Sequence, residues 1–199
     1  MESTSSEKIK PFTEMEVKFR TTGDKIYDFK QLVSNMQGLQ SFIYVESDDI
    51  YYTRGDEFVR YRFSTQGDCK RKELTHKVKT IDSNNVIRSE VNLRVDDNDA
   101  DTIEKFVTVQ GFKRNFRISK IVHIYRFEDV VVPFYTVIDE NGKFDHFIEI
   151  ELVEETIHNL TEEEAWNTIK KWEAVLAPLG ISGQKRLRKS LFEMYRREG

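Results

Sequence analysis

The sequence predicts an α+β protein: a mostly antiparallel sheet or closed barrel of about eight strands, flanked by helices. Three observations predict it. Period-two alternation of apolar and polar residues dominates from residue 14 to residue 153. Most strand-like runs follow one another directly, which favours meandering antiparallel connections over βαβ units. Helical signals are few, and most gather after residue 160.

The first strand-like run is TEMEVKFR, residues 13–20, where Glu14, Glu16, Lys18 and Arg20 alternate with Met15, Val17 and Phe19. DKIYDFKQLVSNMQ then reads as a helix, with Ile26, Phe29, Leu32 and Val33 on one face and Gly38 as a stop. FIYVESDDIYYT, EFVRYRFS, ELTHKVK and VIRSEVNLRV read as strands. DTIEKFVTVQG reads as a helix ending at Gly111. FRISKIVHIYRF, PFYTVID and HFIEIELV complete the strands, and DENGK is a turn signal before the last. Thr161 with Glu164 forms a capping-box pattern. It opens a helix through Trp166, Ile169, Trp172 and Leu176 to the break at Pro178–Gly180, and both tryptophans read as packing residues. KRLRKSLFEMYRR reads as a last helix.

A chain of 199 residues suits one domain. It spans residues 13–199, preceded by a flexible lead-in over residues 1–12. Charged residues make up 33% and apolar residues 38%, yet 12% are aromatic, so a packed core is expected. The charge must then lie on the surface or line a cavity. A net charge of −4 argues against generic nucleic-acid binding. The single cysteine, Cys69, excludes an internal disulfide framework and sits in the polar turn GDCKRK. No apolar run reaches membrane-spanning length and MESTSSEKIKPF has no signal-peptide core, so a soluble, cytoplasmic protein is expected, with no membrane partner.

The charged faces are sorted by sign. Glu14 and Glu16 lie in the first strand and Glu149 and Glu151 in the last. Between them come Arg60 and Arg62, Lys77 and Lys79, and the run Arg88, Glu90, Asn92, Arg94. FRISKIVHIY resists the pattern, because Arg117 and Lys120 have opposite parity; without a bulge they cannot share a face. A solvated sheet face gives apolar–polar alternation too. Against that reading, these faces hold few Ser, Thr or Gln and segregate carboxylates from cations. Same-face neighbours on a strand are roughly 6.5–7 Å apart and paired strands roughly 4.8 Å apart. On such a grid four carboxylates can hold one or two divalent cations, Mg²⁺ or Mn²⁺ by the all-oxygen donor set. The cations would hold a multiply charged anion, for which a polyphosphate fits best.

The E-x-E-x-K of Glu14, Glu16 and Lys18 resembles the opening signature of the CYTH superfamily, the triphosphate tunnel metalloenzymes. ESDDIYYTRGDEFVRYRFS is similar to the family's "D-x-Y-F-D" strand followed by an "R-x-R" strand, and ELTHKVK to its lysine strand. VIRSEVNLRV is similar to its "R-x-E" strand and FIEIEL to its closing E-I-E, and LAPLGISGQKRLRKSLFEMY resembles its ending. The likeness runs from residue 14 to about residue 196. It implies an eight-stranded antiparallel tunnel that binds triphosphate and divalent metal. It makes Glu14, Glu16, Glu149 and Glu151 metal ligands, with Glu90 assisting, and Lys18, Arg60, Arg62, Lys77 and Arg88 phosphate ligands. Lys120 matches the lysine of a K-x-R on the sixth strand. Glu14, Glu16 and Lys18 form the implied catalytic set.

Two departures bear on the substrate. Asn92 stands where many members have a second glutamate, and Val122 where many have an arginine, with Arg117 or Arg126 as possible substitutes. The turn before E-I-E is also longer than the usual form. The expected activity is metal-dependent hydrolysis of tripolyphosphate, thiamine triphosphate or a nucleoside triphosphate, by a monomer or homodimer. The alternatives are a class IV adenylyl cyclase, an RNA 5′-triphosphatase, for which an RNA end would be the one nucleic-acid partner, and a non-catalytic polyphosphate- or nucleotide-binding module.

Four other features have a functional and a plainer reading. His76, His123, His146 and His158 show no zinc-like spacing, though His146 flanks the E-I-E strand and could touch substrate. Asp139 either joins the carboxylates or starts a turn. The run KRLRK, residues 185–189, is either a solvated helix face or part of a tunnel mouth.

Overall fold

The computed structural model describes residues 14–78, 87–157 and 159–197; within these, the side chains of Glu14, Lys77, Val78, residues 87–90 and Glu154 are outside the description. The expected lead-in, residues 1–12, lies outside the described residues. Eight strands run in chain order: β1 (Glu14–Thr21), β2 (Ser41–Arg54), β3 (Glu57–Gln66), β4 (Cys69–Val78), β5 (Ile87–Arg94), β6 (Lys113–Arg126), β7 (Val130–Asp139) and β8 (Phe144–Leu152). The helices are α1 (Lys25–Ser34), α2 (Ala100–Val109), the short α3 (Glu154–Ile157), α4 (Glu162–Leu176) and α5 (Leu191–Tyr195). No helix among the described residues is long and apolar enough to cross a membrane.

The strands form a closed antiparallel barrel in the order β1-β5-β4-β3-β2-β6-β7-β8. Every junction is antiparallel, as short connections between successive strands allow. The β1–β5 seam is narrow, with Glu14 opposite Arg88 and Met15 opposite Ile87. On its other side β1 pairs with β8 from Glu16 opposite Glu151 to Thr21 opposite His146.

The barrel turns its apolar faces outward. Met15, Val17 and Phe19 of β1 and Ile148 and Ile150 of β8 are buried with Phe29 and Val33 of α1 and Ile169, Trp172 and Leu176 of α4. A second outer cluster joins Tyr52, Val59, Tyr61 and Leu74 to Ile103 and Val107 of α2. On β1, β3, β4 and β8 the period-two pattern of the strands and the 3.6-residue pattern of the helices therefore meet outside the barrel, and the charged parity of these strands is left facing the lumen. The capping box of Thr161 and Glu164 is formed at the start of α4. Gly180, with φ of +81°, supplies the left-handed residue that turns the chain after Leu179.

The C-terminus differs from expectation. KRLRKSLFEMYRR is not one helix, since α5 covers only Leu191–Tyr195. The preceding residues instead run beside β1: Arg186 bridges to Phe19, and the Leu187 amide donates to the Lys18 carbonyl. Arg186 is fixed by Glu173 of α4, at 2.5 and 2.7 Å. This places α5 across one end of the barrel. There Phe192 stacks on Phe58 with ring centroids 4.2 Å apart, and Tyr51 stacks on Phe116 at 4.4 Å. Tyr195 donates to Asp145 at 2.7 Å, and Arg20 pairs with the same carboxylate at 2.5 Å. The aromatic stack fills the end of the barrel that the strands leave open. Replacing Phe192 with Ala should cost about 3 kcal/mol of stability, from lost burial and the cavity left behind. Urea unfolding would read this as a lowered midpoint; an unchanged midpoint would mean the stack contributes nothing.

Candidate functional site

The lumen of the barrel holds a cavity of about 420 Å³. Its floor is the aromatic stack with Ser190, Leu191 and Phe192. Its other end is bordered by Gln66, Cys69 and Arg71, all exposed. Cys69 is thus not in the turn but at the start of β4, at the rim of the cavity.

Carboxylates line one wall. Glu16, Glu149 and Glu151 come from the paired strands β1 and β8, with Glu16 opposite Glu151 and Lys18 opposite Glu149. Lys18 lies among them, with Nζ 2.5 Å from Glu149 and 3.7 Å from Glu16. The Tyr135 phenol donates to Glu149 at 2.6 Å. Burial, then the Glu149 charge, pushes the Tyr135 phenol well above its usual range, so it stays a donor.

Cations line the wall opposite. Arg60 and Arg62 of β3 and Lys120 of β6 face the same cavity. They are held by a residue that does not line it. Asp49 of β2 is 0% exposed and accepts from Arg62 Nε at 2.7 Å and Nη2 at 3.0 Å, while Lys120 Nζ lies 2.6 Å away. Burial alone would raise the Asp49 carboxyl pKa, but Arg62 and Lys120 outweigh it and hold the group well below the usual carboxylate range. Lys120 is pulled the other way. Burial first, then Arg62, lower it to about 7, against a partial offset from Asp49. Arg60 donates to Thr75 Oγ1 at 2.9 Å and lies 3.5 Å from Glu73. Thr75 in turn donates to Asn92 Oδ1 at 2.7 Å. Asn92 thus provides an acceptor without adding a fifth charge to this stretch of wall.

Most residues singled out in the sequence meet here: Glu16, Lys18, Arg60, Arg62, Lys120, Glu149 and Glu151 all line one cavity. The side chains of Glu14, Lys77, Arg88 and Glu90 lie outside the description, though the β1–β5 and β4–β5 registers put Glu14 opposite Arg88 and Lys77 opposite Glu90. The parity conflict on β6 resolves without a local bulge. Lys120 points inward, whereas Arg117 points outward and pairs with Asp48 at 2.9 Å. Arg126 pairs with Glu155 at 3.4 Å, also outside, so neither arginine replaces the cation absent at Val122. Asp139 accepts from the amides of Asn141 and Lys143 and belongs to a turn. His146 bonds Thr136 at 2.9 Å and packs against Gly23, away from the cavity.

Sequence reasoning missed Asp49, Thr75 and Tyr135. In SDDIYY two adjacent aspartates occupy both parities, which hides which one points inward. A clue existed: Asp49 has the parity of Tyr51, which lies directly opposite Arg60.

The residues present suit a hard divalent cation by donor chemistry. Glu16, Glu149 and Glu151 offer only oxygen donors from two adjacent strands. Among the described residues no three such side chains already converge on one point, since Lys18 and Tyr135 engage Glu149 in their place.

No family model matches the sequence, and no curated protein matches it. Solved structures do. The PH1819 protein from Pyrococcus horikoshii OT3 is 25% identical and superposes with a TM-score of 0.69, over 91% of this chain and 97% of that one. A candidate adenylate cyclase from Vibrio parahaemolyticus is 15% identical with a TM-score of 0.61, over 93% and 98%. The eight-stranded fold is shared with these structures. The same architecture occurs in a chain of the Mediator head module of Schizosaccharomyces pombe, 10% identical with a TM-score of 0.60, over 83% and 94%. A shared fold by itself fixes no chemistry, which depends on the residues that line the barrel.

Two expectations follow from the cationic wall. Asp49→Asn leaves Arg62 and Lys120 buried without their counter-charge and should cost about 3–5 kcal/mol in chemical denaturation; a loss under 1 kcal/mol would mean solvent already screens the cluster. Lys120, with a folded pKa of about 7 against a reference of 10.5, gives the second. Between these values the unfolded chain holds a proton that the folded chain has shed, so this group's contribution to stability rises with pH across that window. Stability of the unaltered protein relative to Lys120→Met should therefore increase from pH 7 to pH 9 in parallel urea titrations. A flat difference would place the Lys120 pKa near its reference value.

Proposed function

We propose that this chain hydrolyses a triphosphate with the help of a divalent cation, Mg²⁺ or Mn²⁺. The observation that carries the reading is the separation of charge across one cavity, with Arg60, Arg62 and Lys120 on one wall and Glu16, Glu149 and Glu151 on the other. A cavity of about 420 Å³ lies within the usual range for small-ligand sites, roughly 300–1,000 Å³. Both walls carry several like charges close together, an arrangement that favours a charged ligand over a neutral one. A metal-bound polyphosphate meets both.

In this reading Arg62, fixed by two bonds to Asp49, presents its remaining donor to phosphate oxygens in a set orientation. Arg60 and Lys120 add charge on the same wall. Their density favours the extra negative charge that the phosphoryl group develops during in-line displacement. Glu16, Glu149 and Glu151 would hold the cation, with Glu14 and Glu90 as further candidates from the family likeness. A divalent cation held there supplies charge neutralisation and a more acidic water. Lys18, between Glu16 and Glu149, neutralises the carboxylate wall and can turn its ammonium to the substrate. Tyr135 fixes the orientation of Glu149.

The test is a product analysis with tripolyphosphate, thiamine triphosphate, ATP and 5′-triphosphorylated RNA, each with Mg²⁺ or Mn²⁺. Orthophosphate release is expected, and Arg62→Ala should lower kcat/KM by about 10²–10³-fold, as for loss of a transition-state donor. Pyrophosphate with a cyclic nucleotide would instead make the protein a cyclase. Binding with no product from any of the four would make it a binding module.

A further inference from the structure

The cavity has a third kind of wall that the charged residues do not explain. Ile43 and Val45 of β2, Val122 and Ile124 of β6, and Val131 and Pro133 of β7 all line it. The register makes them one surface on three neighbouring strands: Ile43 lies opposite Ile124, Val45 opposite Val122, and Ile124 opposite Pro133. All but Pro133 are only partly buried, although they point into the barrel. Elsewhere this barrel buries its aliphatic side chains outward, under helices. An aliphatic wall facing a water-filled lumen gains nothing in the free protein.

The position of the wall limits what can cover it. Lys120 precedes Val122 by one inward step on β6, and Ser47 precedes Val45 in the same way on β2. The cations of this side therefore end at Lys120. On the β8 side the wall adjoins the acidic set, since Val131 lies opposite Glu151. A phosphate group displaced one step beyond Lys120 would meet aliphatic carbons on one side and carboxylates on the other. The part of a ligand that lies against this wall, beyond Lys120, is matched by an uncharged, apolar group.

We infer that the β2–β6–β7 wall is a binding surface for the organic group of a triphosphate ester, specifically a flat, uncharged ring, and that Val122 sets this preference against inorganic tripolyphosphate. The inference rests on the phosphate reading of the charged walls and adds the class of the substituent. A ring suits the wall because strand-borne branched side chains present a broad, stiff surface with few rotamers to fix. Gln66 of β3, the strand next to β2, and the Cys69 thiol and Arg71 of β4 beyond it border the same rim and leave room for hydrogen bonding at the ring's edge.

The test compares equilibrium binding of three probes in the presence of Mg²⁺: phenyl triphosphate, methyl triphosphate and inorganic tripolyphosphate. Covering about 60 Å² of the wall predicts roughly tenfold tighter binding of the phenyl ester than of the methyl ester. Val122→Arg should erase that tenfold and favour tripolyphosphate, by adding a cation where the wall has none. Ile43→Asn, which adds no charge, should erase the phenyl preference without strengthening tripolyphosphate binding. Circular dichroism of both variants establishes that they are folded. Equal binding of all three probes by the unaltered protein overturns the inference while leaving the phosphate reading intact. So does tighter binding of tripolyphosphate than of the phenyl ester. No binding of any probe overturns both.

Discussion

The interior of this barrel depends on Asp49. Arg60, Arg62 and Lys120 are brought together by β3 and β6, and their mutual repulsion in a lumen of low dielectric would open the wall. Asp49 lies wholly buried between Arg62 and Lys120 and accepts from both. It draws its charge from β2, the strand between theirs, so the register alone sets the contact. Its effect is unequal. Arg62 keeps its proton under every ordinary condition, while burial, then the neighbouring guanidiniums, lower the Lys120 pKa to about 7. Two carboxylates, Asp49 and Glu73, lie beside three cations on this wall. That excess of positive groups is the electrostatic reason for reading the site as one that receives an anion.

The rest of the architecture follows from turning a barrel inside out. Small barrels commonly fill their interior with aliphatic side chains. Here the aliphatic parity of β1 and β8 faces α1 and α4, and that of β2, β3 and β4 faces α2. The helices are what make a polar lumen possible, because they supply the outer strand faces with the burial a filled barrel would find within. The aromatic stack around Phe192 completes the arrangement by packing one end with apolar rings. With that end packed, the graded lining from rim to floor, aliphatic, then charged, then aromatic, acquires a direction.

The fold was legible in the sequence to an unusual extent, because alternation with charge on one parity is a strong signal when each strand has a single apolar face. The positions of Glu16, Lys18, Arg60, Arg62, Glu149 and Glu151 followed from parity alone. What was not legible came from places where parity fails. SDDIYY carries aspartate on both faces, so Asp49 could not be told from Asp48, which in fact pairs outside with Arg117. Thr75 carries no charge on the parity of Glu73 and Lys77, and Tyr135 fell among apolar neighbours and looked like a packing residue. The last segment reads as a helix from its composition, but the Arg186–Glu173 pair and the bridge to Phe19 hold it extended until Ser190 caps α5. Tertiary contacts outweighed local propensity there.

A chain of the Mediator head module shares this architecture at 10% identity, so the fold is compatible with widely different sequences. That makes the lining of this chain informative in its own right. Charges buried in a barrel commonly stabilise it less than apolar residues of equal volume would. Counting Asp49 behind the wall, the described side chains put five carboxylates and five cations in or beside one cavity. The two signs are unevenly distributed: Lys18 is the cation placed among the acids of β1 and β8, while Arg60, Arg62 and Lys120 lie beside Asp49 and Glu73 across the lumen. A set selected only for stability would interleave the signs. Grouping like charges on two facing walls costs stability in the free protein relative to even interleaving, and a ligand carrying both signs, such as the proposed metal-bound polyanion, would offset that cost. The arrangement of the charges, more than their number or the fold that presents them, is therefore the part of this protein that selection for binding best explains.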